Sequence, residues 1–192
     1  MKSKSRKTIL TLAVVAVAAV AVSFAAYAAF SSTTSNPGNS FAAGSVTLTG
    51  NNTASAFYNV SGAKPGDSST ARCMRVTYSG SLPSTVKVYR SAFSGGTTPN
   101  LATYVNLTVT KGTGNAENCS DFSGSTSVYS GTLSSFATDW TSGLALTNGS
   151  GNAAWSNGDA VTYKFSAQVA DDNNAKGLAT GTHSFTWEAQ NN

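Results

Sequence analysis

One histidine, His183, two cysteines, Cys73 and Cys119, and eight carboxylates are the metal-ligating and acid-base inventory of a 192-residue chain otherwise rich in Ser, Thr, Asn and Gly. Hydrolysis at a zinc centre takes three protein ligands, usually histidines with a carboxylate, plus a general base. A single histidine and no His-Glu-x-x-His do not supply that set. His183 stands in phase with Phe185 and Trp187 at the head of the last candidate strand, where a half-buried ring keeps one nitrogen in water and is mostly neutral at neutral pH. A Ser-His-Asp set has no Gly-x-Ser-x-Gly elbow to hold it, and Gly149-Ser150-Gly151 reads as a turn. Asp171-Asp172-Asn173-Asn174 gathers oxygen ligands but lacks the Asp-x-Asp-x-Asp-Gly spacing and distal Glu of a calcium loop, so a hairpin turn is the simpler reading. The expectation is a chain with no catalytic residue, no metal site and no cofactor.

Charge narrows the partners. Charged residues are 10% of the chain, against about 25% in an average globular protein. Lys2, Lys4, Arg6 and Lys7 account for the whole net charge of +4. The remaining basic residues, from Lys64 to Lys176, are scattered, whereas nucleic-acid binding needs a clustered basic surface. Nucleic acid is therefore excluded as a partner.

The basic leader has a chemistry of its own. Behind it, Ile9 to Val22 is a run of Leu, Val, Ala and Ile broken only by Thr11, and Ala26-Tyr27-Ala28 is the small-x-small pattern that a signal peptidase reads. Two readings follow. Cleavage between Ala28 and Ala29 releases a secreted protein with equal numbers of acidic and basic side chains. Alternatively the 22 residues from Ile9 to Phe30 stay as a membrane anchor, since about 20 apolar residues span a bilayer. The short apolar run and the cleavage site favour the first, in which the membrane is met only through the N-terminal segment before processing.

Export decides how the cysteines read. An even number in an oxidising compartment defaults to a bridge between Cys73 and Cys119, the other possibility being two buried thiols. In the chain-entropy model, closing that 46-residue separation is worth about 4 kcal/mol.

The elements that carry these residues are strands. Val161, Tyr163, Phe165, Ala167 and Val169 alternate with Thr162, Lys164, Ser166 and Gln168, the pattern of a strand with one buried face. Val105, Leu107 and Val109 repeat it, as do Val86 with Val88, Val46 with Leu48, and Phe185, Trp187 and Ala189. Cys73 to Tyr78 and Ser127 to Tyr129 are shorter candidates. Lys64-Pro65-Gly66-Asp67, Ser94-Gly95-Gly96, Gly112-Thr113-Gly114-Asn115 and Asn157-Gly158-Asp159 are turns between them. Only Leu133 to Leu146 has room for a helical turn. Eight or nine short strands predict an all-β, jelly-roll or immunoglobulin-like antiparallel sandwich. Trp140, Trp155, Tyr58, Tyr89, Tyr104 and Tyr129 are numerous enough for a sugar-binding platform, though sandwich aromatics are more often core.

Ala26-Tyr27-Ala28-Ala29-Phe30-Ser31-Ser32-Thr33 and Asn39-Ser40-Phe41-Ala42-Ala43-Gly44-Ser45-Val46-Thr47-Leu48-Thr49 resemble the start of the TasA and camelysin family, secreted bacterial proteins exported through a SipW-type signal peptidase. Lys64-Pro65-Gly66-Asp67 looks like that family's turn, and His183-Ser184-Phe185-Thr186-Trp187-Glu188-Ala189-Gln190 is similar to its last strand. The likeness covers residues 20–70 and 160–190; the cysteine pair is not part of it. The resemblance implies a jelly-roll sandwich and, from its fibre-forming members, assembly in which the N-terminal segment of one subunit completes the sheet of the next. Phe30, Phe41, Val46 and Leu48 are the apolar residues of that donor segment. It is uncharged, so backbone pairing to an exposed edge is open to it. A camelysin-like peptidase label would follow from the resemblance alone, without support from the residues.

The expected organisation is a signal peptide at 1–28, a donor segment at 29–49 and a sandwich domain at 50–192. The expected function is a non-enzymatic, secreted subunit of the cell surface or biofilm matrix that self-associates into fibres. A monomeric surface or glycan-binding module and a secreted peptidase are the alternatives.

Overall fold

Alternating burial organises everything that can be described, namely residues 43–51 and 56–191 of a computed structural model. The expected signal helix at 1–28, its cleavage point at Ala28 and Ala29, and the donor residues Phe30 and Phe41 lie outside the described residues. Among the described residues there are nine strands: β1 Leu48–Gly50, β2 Arg72–Tyr78, β3 Ser84–Arg90, β4 Val105–Thr113, β5 Ser123–Thr132, β6 Leu144–Leu146, β7 Ala154–Trp155, β8 Ala160–Val169 and β9 Phe185–Asn191. The only helical pieces among the described residues are single 3-10 turns, one of them Leu133–Ser135, inside the one segment where the sequence leaves room for a helical turn. No helix of the described residues is long and apolar enough to cross a membrane.

All pairings among the described strands are antiparallel. Sheet A runs β1-β2-β8-β4-β5. Sheet B centres on β3. Strand β9 pairs with β3 along its full length, from Arg90 opposite Phe185 to Ser84 opposite Asn191. Strands β6 and β7 share the other edge of β3, at Val86 to Val88 and at Ser84 to Thr85.

The two sheets bury one core. From sheet A, Val76, Tyr78, Leu107, Val109, Tyr163 and Phe165 point inward; from sheet B, Val86, Val88, Leu146 and Trp155 meet them. Val86, Val88, Leu107, Val109, Tyr163 and Phe165 are residues whose period-two spacing marks a half-buried face in the sequence, whereas Leu146 and Trp155 carry no such pattern. Phe185, Trp187 and Ala189 follow the same rule at the periphery, half-buried against the cluster. The turn Lys64-Pro65-Gly66-Asp67 closes with the Asp67 N–H donating to Lys64 O at 3.0 Å. Its Gly66 sits at φ +87°, the left-handed region that glycine adopts without strain.

Candidate functional site

The two edges of sheet A differ. At one edge, β1 is three residues long and pairs Leu48 with Tyr78, Thr49 with Thr77 and Gly50 with Val76. The ladder continues irregularly, with the Ser79 N–H donating to Thr47 O at 3.0 Å and the Ser81 N–H to Ser45 O at 2.9 Å. Farther down the same edge of β2, Asn51 Oδ1 accepts the Arg75 N–H at 2.8 Å and Glu117 O accepts the Cys73 N–H at 2.8 Å. This edge is covered by short borrowed contacts. Leu48 packs against the core, whereas Val46, two residues earlier, is 37% exposed. The two residues share a phase but not an environment, because the regular ladder starts only at Leu48.

At the opposite edge, β5 pairs with β4 alone among the described residues. It is ten residues of Ser, Gly, Thr, Val and Tyr, without a charge or a proline, and Ser123 to Ser127 are exposed. Natural edge strands are usually guarded by lysine, proline or a bulge. The guard here is two register shifts against β4, at Val109/Thr110 and Lys111/Thr113. Sequence reading marks only Ser127 to Tyr129 as a strand, since Ser-Gly-Thr repeats carry little hydrophobic alternation to read.

Between β1 and β9 the sandwich opens into a groove of about 1200 Å³. Phe57 lines it from the loop before β2, stacking on Phe165 at 4.7 Å and meeting Trp187 edge-on at 5.8 Å. His183 sits at its mouth among Tyr58, Phe93 and Phe185. The His183 Nδ1 and Trp187 Nε1 atoms are buried without a hydrogen-bond partner. Burial pushes the His183 pKa below its ordinary value, and the charge of Arg90 adds to this; the Gly181 backbone favours the protonated ring without reaching hydrogen-bond geometry. Burial also raises the Tyr58 pKa, against the pull of Arg90.

Arg90 is the residue sequence reasoning missed here. It is in phase with Val86 and Val88 and 5% exposed. Its Nε and both terminal nitrogens donate to the carbonyls of Leu133, Ser134 and Ser91, and it lies 4.1 Å over the Phe93 ring. The signal was present as a cation on a core-facing phase.

Cys73 and Cys119 are joined, with Cα atoms 5.2 Å apart. Cys73 is buried on β2, and Cys119 comes from the β4–β5 connection in a left-handed conformation at φ +62°. Asp121 holds that connection by accepting the N–H groups of Asn115 at 2.8 Å and Ala116 at 3.0 Å, which keeps its carboxyl below the usual carboxylate range. The aromatics do not gather into one platform. Trp155 is fully buried and donates its Nε1–H to Leu146 O at 3.1 Å; Tyr129 packs on Phe136, and Trp140 lies under the Lys87 ammonium. Asp172 Oδ1 accepts the Asn174 N–H at 2.8 Å, so part of the acidic cluster serves as a turn cap. No known family model matches the chain, and no curated protein is detectably similar to it.

Proposed function

We propose that the chain is a secreted, non-enzymatic structural subunit of the TasA-like kind, a jelly-roll sandwich that self-associates into fibres of the bacterial surface or matrix by strand addition. The observation that carries this reading is β5, an uncharged ten-residue edge with one partner strand. In this reading, the donor is the part of residues 29–49 that lies ahead of β1, freed by cleavage between Ala28 and Ala29, since Leu48–Gly50 pair with β2 of their own chain, and the acceptor is β5 of the next copy. Because β1 and β5 are opposite edges of sheet A, such a contact is heterologous, the kind that builds open filaments when the rotation between copies does not close a ring. Residues 29–42 alone are longer than the ten-residue edge they would cover.

The test is electron microscopy of protein beginning at Ala29, incubated at high concentration. Ordered filaments are expected; a solution that stays monomeric across concentration overturns the reading. The groove supports a second reading, a ligand-binding surface module, because two buried N–H-bearing rings line it without partners. Saturable glycan binding by a protein that never self-assembles would favour that alternative.

A further inference from the structure

Away from the groove, an inward-facing lysine ends on the main-chain oxygen of an asparagine whose side-chain amide is hydrogen-bonded at both ends. Lys111 continues the inward series Val105, Leu107, Val109 and stands opposite Tyr163, which is fully buried. Residues paired across a ladder share a face, so the Lys111 side chain points between the sheets. Its Nζ donates to Thr147 Oγ1 at 2.8 Å and to the main-chain oxygen of Asn148 at 2.6 Å, both in the β6–β7 connection of the opposite sheet. Neither acceptor is a carboxylate.

Asn148 is 5% exposed, and its amide is gripped at both ends. Oδ1 accepts the N–H groups of Ser150 at 3.1 Å and Asn152 at 2.9 Å. Nδ2 donates to Asp159 Oδ2 at 3.0 Å and to Ala154 O at 3.3 Å. A turn cap would account for the bonds at Oδ1. It would not require a carboxylate on the nitrogen or an amine beside the same residue.

We infer that Lys111 and Asn148 join in an intramolecular amide that ties sheet A to sheet B. The ammonium of Lys111 first gives a proton to the Asp159 carboxylate, directly or through solvent. The free amine attacks Cγ of Asn148, and the negative charge that develops on Oδ1 is held by the Ser150 and Asn152 N–H groups, the arrangement that stabilises tetrahedral intermediates in acyl transfer. Asp159 passes its proton to Nδ2 and takes one from the attacking nitrogen. The Cγ–Nδ2 bond breaks, the Nζ–Cγ amide remains, and ammonia leaves with the proton still on Asp159, forming ammonium. One ammonium side chain and one carboxamide thus become one amide and one ammonium ion, with no oxidant or reductant. Holding the amine on the residue it must attack removes much of the entropic part of such a barrier, and this reaction needs to run once per molecule.

The full chain, recovered folded and reduced, is digested and its peptides are sequenced by tandem mass spectrometry. The expected product is a branched peptide joining Lys111 to Asn148, lighter than its two parts by one ammonia, with tryptic cleavage after Lys111 lost. Lys111→Arg and Asn148→Ala abolish it, and Asp159→Asn leaves both residues unlinked in protein that keeps its β-sheet circular dichroism. Only linear peptides from folded wild-type protein overturn the inference. So does an ammonia loss that persists in Lys111→Arg, which marks a succinimide at an Asn-Gly pair instead.

Discussion

The Tyr58 hydroxyl lies 2.6 Å from Nε2 of His183, joining the loop before β2 to the residue that leads into β9. With the ring neutral, the hydroxyl donates and Nε2 accepts, which leaves the ring proton on Nδ1, the atom buried without a partner. Protonating the ring turns Nε2 into a donor and places a cation in a cage of Tyr58, Phe93 and Phe185 near Arg90.

The sign of the pH effect follows. Burial, then Arg90, holds the folded pKa of His183 below its ordinary value. The unfolded chain takes up this proton at about pH 6.5 and the folded one resists it. Stability is full above that value, falls as pH drops through it, and levels off below the folded pKa. Melting temperatures measured at about pH 7.5 and about pH 5 should therefore drop more for wild type than for His183→Gln, which keeps a neutral acceptor for Tyr58. An equal drop in both proteins would remove His183 from the account.

The Cys73–Cys119 bond makes a separate prediction. It fastens β2 to the β4–β5 connection across a separation of 46 residues, worth about 4 kcal/mol in the chain-entropy model. For a domain of this size each kcal/mol moves the melting temperature by about 2–4 °C, so Cys73→Ser with Cys119→Ser should melt on the order of 10 °C lower. A calorimetric difference of only a degree would mean that the loop is held by Asp121 and the Glu117 carbonyl instead.

Leu48 and Val46 separate folding from assembly at the β1 edge. Leu48 packs on the core cluster, and Val46 is 37% exposed. Leu48→Asp should lower the melting temperature by several degrees, since an aspartate there sets a half-buried charge against the apolar cluster. Val46→Asp should leave it within a degree or two, the usual range for a surface change. Equal loss in both variants would show that the chain before β1 is as firmly packed as β1 itself.

What the sequence disclosed, and what it hid, has a common physical origin. Val161 to Val169 and Val105 to Val109 were legible because each alternates apolar and polar residues over a face that is buried on one side only. Strand β5 was legible only at Ser127 to Tyr129, because outside Val128 and Tyr129 it is Ser, Thr and Gly with no apolar alternation, and its pairing comes from backbone groups that every residue carries. Arg90 and Lys111 were hidden for a different reason. Both sit on core-facing phases and reach main-chain carbonyls beyond the apolar layer, partners that depend on which loop the fold brings over them. The Cys73–Cys119 pairing needed only parity and an export signal, and it formed.

Edge chemistry decides the assembly reading. If β5 of one copy accepts the segment ahead of β1 of another, charge placed on its exposed half should block growth without harming the fold, as lysine does on natural edge strands. Ser125 and Ser127 are exposed and lie outside the core cluster, so Ser125→Lys with Ser127→Lys should leave the melting temperature within about 1 °C of wild type, a surface-level change. The same protein should fail to elongate under the electron microscope, and so should protein lacking residues 29–40. Mixing the two defective proteins gives the sharper result. The lysine variant keeps a donor and the truncated one keeps an acceptor, so a single donor-to-acceptor contact forms and growth stops at the heterodimer, whose mass light scattering reads directly. Filaments from the lysine variant alone would end the β5 assignment, filaments from the truncated protein would end the donor assignment, and a mixture that stays monomeric would remove donor-to-acceptor pairing altogether.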